Sequence, residues 1–425
     1  MGHGRGTRRQ QAWIGAAGVL LLAGCASSAA AEPGPRSGEG ERQHVALDEA
    51  DALDEVVAAS WELGVAALRE SDGQKAAVVS PSSLVSALAM VAEGARGDEA
   101  LPFDATLGAA GDDRTDAVNA LLGALERYEG DPAVVQEDDL PETPVLHSAQ
   151  QVVVDDQTVP EQDYLDVLTQ SYGAGVMVTD LATDQGLDPL GAWVREHTGG
   201  LVEDTAMSPD PLLALVLQDA VAFAGAFEQP FEEGMTADRP FAVGGTRVDV
   251  LTMSGTNPLV AVEQDGWTAV RLPFTDDLSL DVVLPPVGSP EAVRPADAPP
   301  EVLAALGDAL DSAPQRAVQL SLPVLDLSTR TDLMPLLSDR GLTGWLSGLV
   351  AGDDDVAIGQ GTQQAVLELS EGGVRAAAVT ELGIVYASGP IVELEVAVDR
   401  PFLLSVRDGS SGWPVFLAAV EDPRP

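Results

Sequence analysis

The chain has 425 residues and a mass of 43.9 kDa. Apolar residues make up 45% and aromatics only 4%, so a sizeable core must be built from Val, Leu and Ala. Acidic residues outnumber basic ones 68 to 22, the formal net charge is -46, and Lys75 is the one lysine. That balance excludes a nucleic-acid partner, which is held by cationic side chains, and docking of the protein surface itself on an anionic membrane. It fits a surface kept soluble by self-repulsion.

Arg5, Arg8 and Arg9 precede an apolar stretch from Ala12 to Ala23, too short to span a bilayer and matched to a signal peptide over residues 1–24. The stretch ends Leu22-Ala23-Gly24-Cys25, which resembles a bacterial lipobox, with lipid on the thiol of Cys25 and cleavage just before it. Cys25 is the single cysteine, so no intrachain disulfide can form, and acyl chains would anchor an otherwise soluble domain. The expectation is an exported cell-envelope lipoprotein whose domain is extracytoplasmic. Residues 25–44 are small, polar and rich in Pro and Gly, as a flexible tether is.

From Leu47 to Arg69 the pattern is helical, with acidic residues early in the run. "SPSSLVSALAMVAEGARG" follows: Ser80 is a natural N-cap, Pro81 suits the first turn, and Gly94 and Gly97 mark the end. "DYLDVLTQSYG" and "DPLGAWVREHTGG" read as helices with glycine stops. Strand patterns then dominate: "LLALVLQDAVAFAGAF", "RVDVLTMSG", "WTAVRLPF" and "LSLDVVLP". A proline-rich loop spans 285–300, then a helix, "PEVLAALGDAL", a strand, "RAVQLSLPVLDLS", and a helix, "DLMPLLSDRG". "FLLSVR" and "VFLAAV" form a hairpin around Asp408-Gly409-Ser410-Ser411-Gly412. One domain over 45–425, of α+β class, is the simplest organisation.

Between the last two groups lies "EGGVRAAAVTELGIVYASGP", residues 371–390. Val374, Ala376, Ala378, Thr380, Leu382 and Ile384 share one phase of a period-two pattern, and Arg375 and Glu381 the other. The run therefore reads as a strand, but one that begins with Gly372, Gly373 and three alanines, Ala376, Ala377 and Ala378, and so with little bulk to pack.

A catalytic centre is hard to assemble. His3 and His44 fall in the leader and tether, which leaves His147 and His197. His197 sits at a helix end, where a cation suits the dipole. There is no G-x-S-x-G elbow and no Ser-x-x-Lys motif, no Cys/His cluster for zinc, and no phosphate- or dinucleotide-binding fingerprint. No cofactor is expected. A hydrolase working through a carboxylate pair or a histidine remains a third reading behind the two below.

Several segments, in order, resemble the serpin family of protease inhibitors: "SPSSLVSALAMVAEGARG", "WVREHTGGLVED", "LVLQDAVAFAGAFEQPF", "VQLSLPVLDLS", "QQAVLELSEGGVRAAAVT" and "DRPFLLSVRDGSSGWPVFLAAVEDP". The resemblance implies three β-sheets, eight or nine helices and an exposed reactive-centre loop. It also implies an inhibitor, not an enzyme: a suicide substrate whose cleaved loop enters the main sheet and traps the acyl-enzyme. The loop hinge would be Glu371 to Ala378 with Thr380, and small residues at its start would let the sheet open around it. By the family's spacing from Glu371 the scissile bond is Ala387–Ser388, suited to elastase-like or subtilisin-like proteases; cleavage after Tyr386 by a chymotrypsin-like enzyme is the alternative. Ser80 and Ser83 match the family's serines where the sheet opens, but Asp219 replaces Asn and Gln363 replaces His, a pair that could still hydrogen-bond with the amide donating. Phe227 replaces a Trp, Val374 a Thr, and Arg375 a Glu. No heparin-like activator is expected on so acidic a surface, and a monomer is expected. The second reading is a non-inhibitory envelope lipoprotein that keeps the fold and binds a ligand.

Overall fold

The computed structural model describes residue 1 and residues 37–71, 74–137, 139–287, 293–352, 356–374 and 392–424. The chain divides into Met1–Pro35 and Arg36–Pro425, and all the secondary structure described belongs to the second unit. Eight α-helices are present among the described residues: α1 Leu53–Glu70, α2 Pro81–Ala92, α3 Leu101–Leu107, α4 Gly111–Leu125, α5 Gln162–Tyr172, α6 Asp184–His197, α7 Pro300–Ser312 and α8 Met334–Asp339. None is long and apolar enough to cross a membrane. α1 carries Asp54 and Glu55 in its first turn and Arg69 in its last, the charge order that the helix dipole favours. The helical pattern expected from Leu47 is interrupted: Leu47–Glu49 is a separate 3-10 turn because Ala50 is extended. α2 begins as its sequence predicts, with the Ser80 hydroxyl accepting from the Ser83 N–H and Pro81 in the first turn.

The strands run β1 Ala76–Val79, β2 Val145–Asp155, β3 Gly175–Thr179, β4 Leu215–Ala226, β5 Ala237–Val243, β6 Thr246–Gln264, β7 Trp267–Pro273 and β8 Leu278–Leu284. They continue with β9 Gln315–Pro323, β10 Leu325–Asp332, β11 Trp345–Leu346, β12 Val356–Ala357, β13 Thr362–Leu369, β14 Gly373–Val374, β15 Leu394–Ala397, β16 Phe402–Asp408 and β17 Pro414–Val420. One sheet has the order β10-β13-β14-β4-β2-β3. Nine further strands join as β1-β17-β16-β8-β7-β6-β9-β15, with β5 also on β6. The 19-residue β6 has three neighbours along its length: Thr246–Thr252 pairs with β5, Thr252–Val260 with β9, and Val260–Gln264 with β7. The result is an α+β fold of three sheets, the third being the two-stranded β11–β12. "RAVQLSLPVLDLS", which reads as one strand, breaks at Val324. There the N–H bonds to the Leu251 carbonyl at 3.0 Å and the chain crosses from one sheet to another.

The main core lies between the sheets and α1, α2, α4, α5 and α7. β8, β16 and β17 are buried at every position, the polar side chains of Ser279, Asp281, Ser405, Arg407 and Asp408 included. Trp413 is fully buried, and its indole N–H donates to Ser60 Oγ on α1 at 2.8 Å. Residues 37–44, expected as the end of a flexible tether, lie instead along α5. Gln162 and Gln170 donate to the Ser37 and Glu39 carbonyls, Asp166 accepts from the Glu39 N–H, and Asn119 receives the Val45 N–H. The amides and the carboxylate of these helices satisfy a strap that composition alone marks as disordered.

Candidate functional site

The two central strands of the six-stranded sheet, β4 and β13, are not paired with each other. Among the described residues they are joined only through β14, two residues long, with Leu369 opposite Val374 on one side and Gly225 opposite Val374 on the other. Beyond β14 the seam between them opens into a cleft of about 160 Å³. Its walls are the facing edges of β4 and β13, its floor is the start of α2, and its cover is α6 with the segment after it.

The upper end of the seam is built by the hinge. Ser370 and Gly373 exchange backbone hydrogen bonds at 3.0 and 3.3 Å around Glu371-Gly372, a two-residue hairpin that turns the chain back from β13 into β14. The Gly372 carbonyl accepts from the Phe227 N–H and the Glu371 carbonyl from the Phe231 N–H, both at 2.8 Å. The Glu371 carboxylate receives the Thr236 hydroxyl. Gly373 is demanded by space: a Cβ there would stand 2.1 Å from the Gly225 carbonyl oxygen. Val374 is 4% exposed and belongs to the main core. Phe227 is buried and stacks on Phe274 at 5.3 Å, so the strand end is held by an aromatic cluster.

Lower in the seam, Gln363 on β13 does not bond to Asp219 on β4. Gln363 instead accepts from the Ser80 N–H at 3.0 Å and donates to the Ser80 carbonyl at 2.8 Å. An amide matches a peptide group in this two-way bond, which a carboxylate cannot do. The Ser80 hydroxyl donates to the Val415 carbonyl, and the Ser83 hydroxyl to the Asp219 backbone carbonyl. Each wall of the seam is thus tied to the start of α2 rather than to the other wall. The Asp219 carboxylate takes one hydrogen bond, from the Gln150 amide at 3.0 Å, and its Oδ1 is buried with no partner. Burial pushes this carboxyl up to about 6, against the Gln150 amide that holds it down.

The cover is anchored on both sides. After α6, the Asp204 carbonyl accepts from Gln364 on β13, Ser208 exchanges two hydrogen bonds with Gln360, and the Ala206 carbonyl accepts from Arg330 on β10. On the other side His197 Nδ1 lies 2.7 Å from His147 Nε2 on β2, and His147 Nδ1 bonds to the Glu129 carboxylate. This chain of three was invisible in the sequence, where the two histidines stand 50 residues apart and carry no shared motif. Burial and the neighbouring His147 hold His197 below the usual imidazole range. No nucleophilic side chain bonds to either ring, and no group that could hold a metal ion is found among the described residues.

Arg375, Ala376, Ala377, Ala378, Thr380, Tyr386, Ala387 and Ser388, and likewise Cys25, lie outside the described residues.

A sequence model of the family described as "Serpin (serine protease inhibitor)" matches residues 63–423. A serine protease inhibitor of the rat, Rattus norvegicus, is 27% identical, over 95% of this chain and 98% of its own length. "Iripin-3" of Ixodes ricinus is also 27% identical, over 88% of this chain and 96% of its own. Among solved structures, the thermophilic serpin tengpin in its native state superposes with a TM-score of 0.74 at 21% identity, covering 91% of this chain and 98% of that one. Thyroxine-binding globulin in complex with thyroxine superposes with a TM-score of 0.72 at 19% identity, covering 87% and 99%. With the family's sequence pattern matched over most of its length and the family's fold around an open seam, the chain belongs to the serpin family of serine protease inhibitors.

Proposed function

We propose that this serpin inhibits serine proteases by trapping: a protease cleaves the reactive-centre loop, and the cut loop fills the seam between β4 and β13 as a new strand. The observation that carries this reading is β14. Two residues of that strand already sit in the seam, paired on both sides, with Val374 in the core and a cleft continuing beyond them. Extended in the same register, the loop brings Ala376 opposite Leu367 and Phe223, and Ala378 opposite Ala365 and Val221. Thr380 then falls opposite Gln363 and Asp219. Leu367, Phe223 and Ala365 belong to the main core, and paired residues of neighbouring strands share a face. The phase with Val374, Ala376, Ala378, Thr380, Leu382 and Ile384 therefore faces the core, and Arg375 and Glu381 face away. The Thr380 hydroxyl would meet the unpartnered Asp219 Oδ1. About ten new ladder hydrogen bonds and two newly buried aliphatic side chains, Leu382 and Ile384, contribute on the order of 10–15 kcal/mol, as much as the stability of a typical domain.

The bait bond is Ala387–Ser388, with elastase-like or subtilisin-like enzymes as targets; cleavage after Tyr386 would make the target chymotrypsin-like. The leader and Cys25 support an exported lipoprotein of a bacterial envelope, held to the membrane by lipid alone. The test is incubation with subtilisin and with elastase. A covalent complex stable in hot detergent and a cut after Ala387, mapped by mass spectrometry, are expected. Cleavage without complex, with no gain in heat resistance, would overturn trapping in favour of a non-inhibitory binding protein, a reading that the likeness to thyroxine-binding globulin supports.

A further inference from the structure

Any strand that enters the seam must pass beneath α6 and residues 198–208, which bridge from β2 to β13. We propose that Glu129, His147 and His197 form an acid-released latch on this cover, so that proton uptake by the histidine pair frees the C-terminal end of α6 and eases strand insertion. The inference rests on the trapping function proposed for this chain.

The chemistry follows from two facing ring nitrogens at 2.7 Å, with planes 5° apart. One proton between them makes a hydrogen bond in either direction. A second proton makes both nitrogens donors, and two N–H groups cannot share a bond. The carboxylate of Glu129 on the far side of His147 keeps the first proton in place. The second must enter His197, which is half-buried beside Trp193 at 4.4 Å. His197 is kept neutral by burial and by His147, so its contribution to the docking of α6 is complete above the ordinary value of 6.5 and declines as pH falls below it.

The surrounding elements bring few other charges. On α6, Glu196 favours protonation of His197, whereas Arg195 is spent on the Glu203 carbonyl. In the turn before Glu129, Glu126 faces Arg42 and His44, and Arg127 is held by Asp408. The 3-10 turn Pro132–Gln136 has no charged residue, and its cap Asp131 accepts from the Ala133 N–H. β4 presents Ala222 opposite His147. The helix end is otherwise docked by fit. Gly199, at a φ of 59°, approaches the Pro132 carbonyl so closely that a Cβ would stand 2.0 Å from it. Apart from backbone bonds, the histidine pair is therefore the titratable connection between the end of α6 and the sheet.

Two measurements on the full protein test this. Amide exchange of the last turn of α6, corrected for intrinsic rates, is compared at about pH 7.5 and about pH 5. The wild type is expected to lose protection about tenfold at the lower pH, the equilibrium factor for one hydrogen bond to a charged group. His197→Gln is expected to show no such step, and Glu129→Gln to move the step to lower pH. The rate of covalent complex formation with subtilisin is then taken as the ratio of wild type to His197→Gln at each pH, which cancels the protease's own titration. The ratio is expected to rise on acidification. A flat exchange profile in the wild type, or the same step in His197→Gln and no displacement in Glu129→Gln, overturns the latch. An exchange step with a flat rate ratio overturns its coupling to insertion. If no complex forms at any pH while the exchange step persists, the trapping function fails and the acid-released latch stands by itself.

Discussion

Asp219→Asn is the most informative single change in the seam. The Asp219 carboxylate has one hydrogen bond and a buried oxygen without a partner, and burial raises it from the ordinary 3.8 to about 6. A carboxyl whose folded value lies above its unfolded one destabilises the fold when ionised. The penalty is complete above about pH 6 and fades as pH falls to 3.8. The difference amounts to about 3 kcal/mol, a factor of about 150 in the unfolding constant. An asparagine keeps the shape, accepts the same bond from Gln150, and carries no charge. The variant is therefore expected to unfold at higher denaturant at about pH 8, by up to about 3 kcal/mol, and to converge on the wild type below about pH 4. Urea unfolding followed by tryptophan fluorescence across that range is the assay. Equal stability at pH 8, or a gain that persists undiminished at pH 4, would refute the claim that an ionised, under-solvated carboxylate lies in the seam.

Three further outcomes follow from the same geometry. Val374→Arg puts a cation into the core at a position 4% exposed, at a cost of several kcal/mol. Detergent gels should then show cleaved serpin in place of covalent complex, and undiminished trapping would remove the assigned phase. Gly373→Ala forces a methyl group against the Gly225 carbonyl, so β14 should leave the seam and the Phe227 N–H, which bonds to Gly372, should exchange faster in deuterated buffer. Gln363→Ala strands the Ser80 N–H and carbonyl, and the expected loss of about 1–3 kcal/mol is read as a lower denaturation midpoint.

Local chemistry determined much of this protein before any fold was known. The N-cap at Ser80, the glycine stop at Gly173, and the strands β8, β16 and β17 were legible because each depends on neighbours within a few residues. The serpin pattern was legible for the same reason, as a succession of short motifs in order. Contacts between distant segments were decided only by the tertiary structure. Nothing local says that β6 pairs with three strands in turn, that the chain changes sheets at Val324, or that residues 37–44 lie on α5. Asp219 and Gln363 line the same cleft but take different partners. Proximity in a motif does not say which donor lies nearer, and the Ser80 peptide group outcompetes a carboxylate for an amide that can both give and accept. Nothing in the sequence pairs His147 with His197, because side chains 50 residues apart meet only when helix and sheet have packed.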